Sequence, residues 1–397
     1  MKYLTRSAVA HLDAPFAVID LDAALANARD MVRRANGTPI RLASKSVRIR
    51  EMLRRVLELP GYAGVLGFHL SEAIWLVETG VTDDVLVAYP TTHREALRTL
   101  AASPTLRESI TVMVDSPAHL DFIDDAVAGQ KASGAERGEI RVCIDVDASL
   151  AMGPVHLGAL RSPVHSVEQV RRLAEVIVAR PGFRLVGLMA YEGQIAGTTD
   201  SSPAVSVMKG ISTRELATRR GKTVRAVEQL LASAGQPPLE FVNGGGTGSI
   251  ETTSAETVIT EIGAGSGVLA PGLFDRYKSF QPEPAQWFVV PVVRRPAPDV
   301  VTVAGGGRVA SGPPGADRLP TVDYPAGLRM APLEGPGEVQ TPLKGPAAKS
   351  LQLGDHVWFR HAKAGEQAEW FDEVVVVSGG EIVDRWPTYR GEGQAFV

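Results

Sequence analysis

Three short segments carry residue types that can do chemistry at the spacing they have. In Ala43-Ser44-Lys45-Ser46 one amine follows the apolar run that starts at Ile40. An amine partly withdrawn from water, near cations such as Arg41 or Arg48, has a lowered pKa and can attack an aldehyde. From this residue alone, a solvated lysine at a helix start fits equally well. Asn243-Gly244-Gly245-Gly246-Thr247-Gly248-Ser249 is the second segment. Its glycines let the backbone approach an anion closely, and its N–H groups, with the hydroxyls of Thr247 and Ser249, can wrap a phosphate without a charged side chain. A flexible turn is the plain alternative. Gly263-Ala264-Gly265-Ser266-Gly267 repeats the same glycine and hydroxyl chemistry shortly afterwards.

The elements around these segments decide between the readings. Short β-branched runs alternate with stretches of helical periodicity. Eight strand candidates lie near Ile40–Ser44, Gly64–Phe68, Val85–Ala88, Thr111–Val114, Arg141–Val146, Leu185–Met189, Glu240–Val242 and Val258–Ile262. Helices are expected over Val47 to Leu57 and over Ser166 to Ala179, each with one apolar stripe. Alternation of this kind predicts a parallel sheet, and eight repeats predict closure into a (β/α)8 TIM-type barrel over residues 1–279. Beyond Phe280 the chain is rich in Pro and Gly, with strand-like runs at Trp287–Val293, Val300–Val303, Asp355–Phe359 and Glu373–Val377, so residues 280–397 are expected to form a smaller C-terminal β domain. A strand at Phe16–Asp20 precedes the repeats and leaves residues 1–20 open to that second domain. The irregular stretch from about Gly305 to Ala348 is long enough to be expected to cover a site or a partner subunit.

On this plan Lys45 stands just past the first barrel strand, and the two glycine loops follow the seventh and eighth. Barrels of this type carry catalytic groups at the C-terminal ends of their strands and commonly bind phosphate after strands seven and eight. A lysine facing a phosphate cradle is the arrangement pyridoxal 5′-phosphate requires, its aldehyde on the amine and its ring an electron sink for the amino acid Cα.

Composition narrows the class. The chain has 397 residues, with 41 Lys plus Arg against 45 Asp plus Glu and a formal charge of −4. There is no long basic run, so nucleic acid is not an expected partner. The single cysteine, Cys143, lies in an apolar run and reads as an inert core thiol. No signal-peptide core and no membrane span is visible, so a soluble cytoplasmic protein is expected.

The chain resembles the fold-type III pyridoxal phosphate enzymes with an alanine racemase-like barrel, and among them the D-threonine aldolase and D-serine dehydratase branch. The resemblance rests on Pro15-Phe16-Ala17-Val18-Ile19-Asp20-Leu21-Asp22, the Lys45 motif, Gly187-Leu188-Met189-Ala190-Tyr191-Glu192-Gly193, the cradle at Gly244 to Ser249, and Thr260-Glu261-Ile262-Gly263-Ala264-Gly265-Ser266. It implies that Lys45 carries the cofactor as a Schiff base, with Tyr191 beside the ring. The cofactor-binding set is then Lys45, Tyr191, Gly245, Gly246, Thr247, Gly248, Ser249, Gly265 and Ser266. Relatives place an arginine before a Gly turn after strand five; here His156 stands in that place and Arg161 five residues on, and each is a candidate for the cofactor ring or the substrate carboxylate.

Members of that branch hold a divalent metal through a histidine and, two residues later, an aspartate or cysteine. The matching segment is Arg360-His361-Ala362-Lys363-Ala364-Gly365-Glu366, where Lys363 replaces the second ligand. A protonated lysine does not ligate metal, which leaves three readings: no metal, His361 with a carboxylate such as Glu366, or His361 and Lys363 acting directly as acid and base. The activity implied is a lyase acting on a β-hydroxy amino acid of D configuration, by retro-aldol cleavage or by dehydration. An amino acid racemase is the alternative, with Tyr324 a candidate opposing base, and a pyridoxal phosphate carrier without turnover is an alternative of another class. A homodimer and a small amino acid substrate are expected by analogy with the family.

Overall fold

The computed structural model describes residues 2–128, 138–152, 155–199 and 203–396. Gly153 and Pro154 of the segment after strand five lie outside the described residues. The strands run β1 Phe16–Asp20, β2 Ile40–Ala43, β3 Tyr62–Gly67, β4 Val85–Val87, β5 Ile110–Val114, β6 Ile140–Asp145, β7 Leu150–Met152, β8 Val155–Leu157, β9 Phe183–Ala190, β10 Phe241–Gly244 and β11 Glu261–Ala264. They continue as β12 Gln286–Ala297, β13 Val300–Ala304, β14 Thr321–Tyr324, β15 Arg329–Met330, β16 Gln340–Lys344, β17 His356–Arg360, β18 Glu373–Ser378 and β19 Glu381–Pro387. The chain divides into two compact units, residues 1–30, 45–53 and 266–395 in one and residues 31–44, 54–265 and 396–397 in the other.

The second of these units is the barrel. Eight parallel strands close in the order β10-β11-β2-β3-β4-β5-β6-β9. Each expected strand is present, and the last one is displaced: it runs over Glu261–Ala264, not Val258–Ile262. Register explains the shift, because Asn243 pairs with Glu261 and Ile262 with Ile40, so the apolar Val258 and Ile259 stay outside the ladder. Leu86, Met113, Cys143, Val186, Met189 and Phe241 form one buried cluster. Cys143 is fully buried there, and burial pushes its thiol far up, as an inert core thiol requires. The helix Val167–Val178 opens on a capping box between Ser166 and Gln169 and buries Val170, Leu173, Ala174 and Ile177, which carry its apolar stripe.

The other unit is built on a mixed sheet in the order β15-β16-β13-β12-β1-β18-β19, with β17 paired to β12 and β14 to β17. The strand β1 lies in its middle, antiparallel to β12 and parallel to β18, and is buried throughout. Two apolar clusters flank the sheet, one around Phe288, Val301, Leu343 and Phe359 and one around Val18, Trp287, Val289 and Trp358. Residues 305–348 are less irregular than the composition suggests, since β14, β15 and β16 all form within them. The expected helix over Val47 to Leu57 begins only at Arg50. Arg48 takes a positive φ of 55°, which interrupts the helical path after the tight turn Ser44–Ser46.

Candidate active site

Lys45 sits in that turn, two residues past the last residue of β2, and its side chain is exposed rather than withdrawn from water. The turn is held from both sides. Arg48 Nε donates to the Lys45 carbonyl at 3.2 Å and the Arg48 guanidinium pairs with Glu369. Gly365, at φ +86°, passes so close that a Cβ on it would overlap the Lys45 carbonyl oxygen. The segment 361–366 is thereby packed against the Lys45 turn.

His361 is buried, 3% exposed. Its Nδ1 lies 2.6 Å from the Lys363 carbonyl and 3.2 Å from the Lys363 N–H, so the Lys363 backbone can meet it as donor or as acceptor. The His361 Nε2 is buried and makes no hydrogen bond among the described residues. Burial pushes the imidazole below its ordinary pKa, against the Lys363 carbonyl and Glu366. The Lys363 ammonium donates to Ser311 Oγ at 3.2 Å, while Ser311 donates from Oγ at 2.5 Å and from N at 3.0 Å to the two oxygens of Glu366. Burial lowers the Lys363 pKa, with Glu366 opposing and Arg318 and Lys45 adding to the fall.

Within the barrel unit a second group gathers at the C-terminal ends of the strands. Tyr191 follows β9, and burial, with Glu192 and Tyr89, pushes its hydroxyl up to about 12. A Cβ on Gly246 would come within 3.2 Å of the Tyr191 ring and 2.8 Å of Ala196, so only glycine fits there. Gly265 likewise leaves no room for a Cβ, which would stand 2.6 Å from the Ala43 carbonyl.

Glu192 is the residue that the sequence reading missed. It is 1% exposed. Gly245 N–H donates to it at 3.0 Å, Ser249 Oγ at 3.0 Å, Thr253 Oγ1 at 2.5 Å and Arg220 Nη2 at 3.1 Å. The Gly245 amide and the Ser249 hydroxyl thus serve a carboxylate of the chain itself. Arg34 closes the other side of the loop by donating to the Thr247 carbonyl at 2.8 Å. Adjacency to Tyr191 was the signal that could have drawn attention to Glu192.

Arg161 is exposed, its guanidinium 5.6 Å from the Tyr89 ring, and its charge acts on both Asp145 and Tyr191. His156 is exposed on the hairpin β7–β8, with Nδ1 3.4 Å from Ser149 Oγ. Arg161 is therefore brought to the Tyr191 group by its charge, whereas the contact of His156 is with Ser149. Asp145, at the end of β6, was also missed: burial, with Asp115, pushes its carboxyl up to about 7 against the pull of Arg161. Arg41 is committed elsewhere, to Glu261 at 2.8 Å and Asp84 at 2.9 Å. Tyr324 is 44% exposed and lies under the Arg6 guanidinium, 4.3 Å from its ring.

The donor set does not fit the metal that the resemblance implies. Lys363 offers an ammonium where a ligand would stand, and both Glu366 oxygens accept from Ser311.

Residues 19–267 match the family described as alanine racemase, N-terminal domain. D-threonine aldolase of Arthrobacter sp. is 26% identical over 386 residues, 95% of this chain and 92% of that protein. 3-Hydroxy-D-aspartate aldolase of Paracoccus denitrificans (strain Pd 1222) is 28% identical over 259 residues, 64% of this chain and 60% of that protein. The crystal structure of D-threonine aldolase from Filomicrobium marinum superposes with a TM-score of 0.79 at 24% identity, covering 96% of each chain.

Proposed function

The chain belongs to the alanine racemase N-terminal domain family, and from that premise we propose that it is a pyridoxal phosphate-dependent lyase cleaving a β-hydroxy amino acid of D configuration. The observation that carries the reading is the packing of the His361 to Glu366 segment on the Lys45 turn through Gly365. It seats the loop that carries an imidazole and a second ammonium on the turn that carries the amine. The aldolase names of the relatives support the same substrate class.

Each unit carries residue types that the cofactor would use. Lys45 would hold its aldehyde carbon covalently. The loops at Gly246, Thr247 and Gly248 and at Gly265 and Ser266 would receive its phosphate, while Gly245 and Ser249, the other two members of the expected set, are engaged by Glu192 and would support the loop from behind. Tyr191 and Arg161 would lie toward its ring, and His156 is the outlying member of the set. When bound, the cofactor supplies an electron sink for the pair left on the amino acid Cα.

The protein's own groups do the rest. In the tautomer whose Nδ1–H donates to the Lys363 carbonyl, His361 Nε2 takes the proton of the substrate β-hydroxyl. The Cα–Cβ bond then breaks, its electron pair stays on Cα, and Cβ leaves as an aldehyde. A proton returned to Cα completes glycine. A homodimer in the cytoplasm goes with this reading by analogy with the family.

The test is to incubate the cofactor-loaded protein with D-threonine and with 3-hydroxy-D-aspartate, assaying aldehyde, glycine, ammonia and the enantiomer. Aldehyde and glycine in equal amounts are expected. Ammonia in place of aldehyde means dehydration, the enantiomer means racemisation, and no product with a bound chromophore means a carrier.

A further inference from the structure

We propose that this chain carries out its lyase chemistry without a divalent metal, the Lys363 ammonium acting as the cation at the substrate's β-oxygen. The inference rests on the reading above, that the β-hydroxyl is brought to the His361 segment.

Three observations carry it. The first is the donor set: Lys363 presents N–H donors and no lone pair, and its Nζ is fixed by Ser311 Oγ at 3.2 Å. The second is that the remaining carboxylate of the segment is occupied. Both Glu366 oxygens accept from Ser311, so Glu366 anchors the lysine through the serine.

The third is the local charge. Lys45 and Arg318 both repel Lys363, and the Arg308 charge acts on His361 while its guanidinium lies 4.6 Å from the Phe371 ring. Asp317 is paired with Arg318 at 2.7 Å. A dication placed here would meet the charges of Lys363, Lys45, Arg318 and Arg308 set against the carboxylates of Glu366 and Asp317, and in this partly buried setting repulsion from the cations is weakly screened. The same field suits an oxygen that becomes negative. As the β-hydroxyl proton passes to His361, charge builds on that oxygen, and an ammonium held by Ser311 and Glu366 donates to it without reorganising.

Metal binding tests the proposal apart from turnover. The cofactor-loaded wild-type protein is titrated with Mn2+ and followed by electron paramagnetic resonance, its metal content is measured after purification, and lyase activity is compared before and after chelation. Substoichiometric metal, no Mn2+ signal that depends on His361, and unchanged activity are expected. Lys363→Asp should create a Mn2+ site, and Lys363→Met should lower kcat by about 10²–10³-fold with KM little changed. Stoichiometric Mn2+ binding that His361→Ala abolishes, or activity lost on chelation and restored by Mn2+, overturns the proposal, and neither needs a variant of Lys363 to fold. Failure of the lyase reading looks different: no aldehyde from any D-β-hydroxy amino acid, with or without Mn2+, while the titration still decides the metal question.

Discussion

Gly365 crosses the Lys45 carbonyl at a distance that excludes any side chain, and it does so at a φ of +86°. The contact couples the amine-bearing turn to the loop that holds His361 and Lys363, although the two lie more than 300 residues apart in sequence. Gly365→Ala must both strain the backbone, by about 1–3 kcal/mol, and push the loop off the turn. A displacement of about 1 Å costs on the order of 10²-fold in rate. Steady-state kinetics should therefore show a large fall in kcat with only a modest fall in melting temperature. A variant with wild-type kcat would mean that the contact does not position the reacting groups.

Lys45 should be the site of covalent attachment. Borohydride reduction of the cofactor-loaded protein, followed by peptide mapping, is expected to label the peptide containing Lys45. Lys45→Ala should leave that peptide unlabelled and lower turnover by at least about 10³-fold. Label on another lysine would reject the assignment.

Glu192 should matter twice. It is paired with Arg220 at 3.1 Å, both side chains buried, and it accepts from the glycine loop through Gly245 and Ser249. Glu192→Ala leaves Arg220 paired with Glu256 at 2.6 Å but strands the buried donors of Gly245, Ser249 and Thr253, a cost of about 1–3 kcal/mol for each buried polar group left unpaired. Glu192→Gln keeps an acceptor and should be milder. With the loop no longer held, binding of pyridoxal phosphate should weaken more than binding of pyridoxal, which lacks the phosphate. Equal weakening of both would show that Glu192 supports the fold alone.

Asp145 should give the protein a pH-dependent stability. Burial, with Asp115 and Asp147 nearby, raises its carboxyl to about 7, above the value of about 4 in an unfolded chain. The folded state then binds the proton more tightly, so this contribution is fully present below about pH 4 and is lost as pH rises through about 7. Wild-type protein should melt lower at pH 8 than at pH 5, and Asp145→Asn should shrink that difference. The prediction fails if the variant keeps the whole slope.

What the sequence alone determined is the part of the molecule built from local pattern. β-Branched runs spaced by amphipathic stretches bury only as a barrel, so the strands and their count were legible, as was the position of Lys45 just beyond the first of them. The helix opening near Ser166 was legible for the same reason, since its apolar stripe repeats among neighbours in sequence. Features set by distant partners were not legible. The eighth strand moved to Glu261–Ala264 because a buried glutamate is acceptable in a ladder only where Arg41 and Asn243 meet it, and Arg41 lies 220 positions away. The strands β14, β15, β16 and β19 are short, polar or proline-bearing, and their pairing partners supply what their own composition does not.

The site divides in the same way. Lysine, histidine and glycine loops declared themselves by residue type. Tertiary structure decided which polar groups were already spoken for: Ser249 and Gly245 by Glu192, Glu366 by Ser311, and the Nδ1 of His361 by the Lys363 backbone. The reason is that a polar group leaving water must find its partner in space, and folding, not sequence proximity, sets which partner that is.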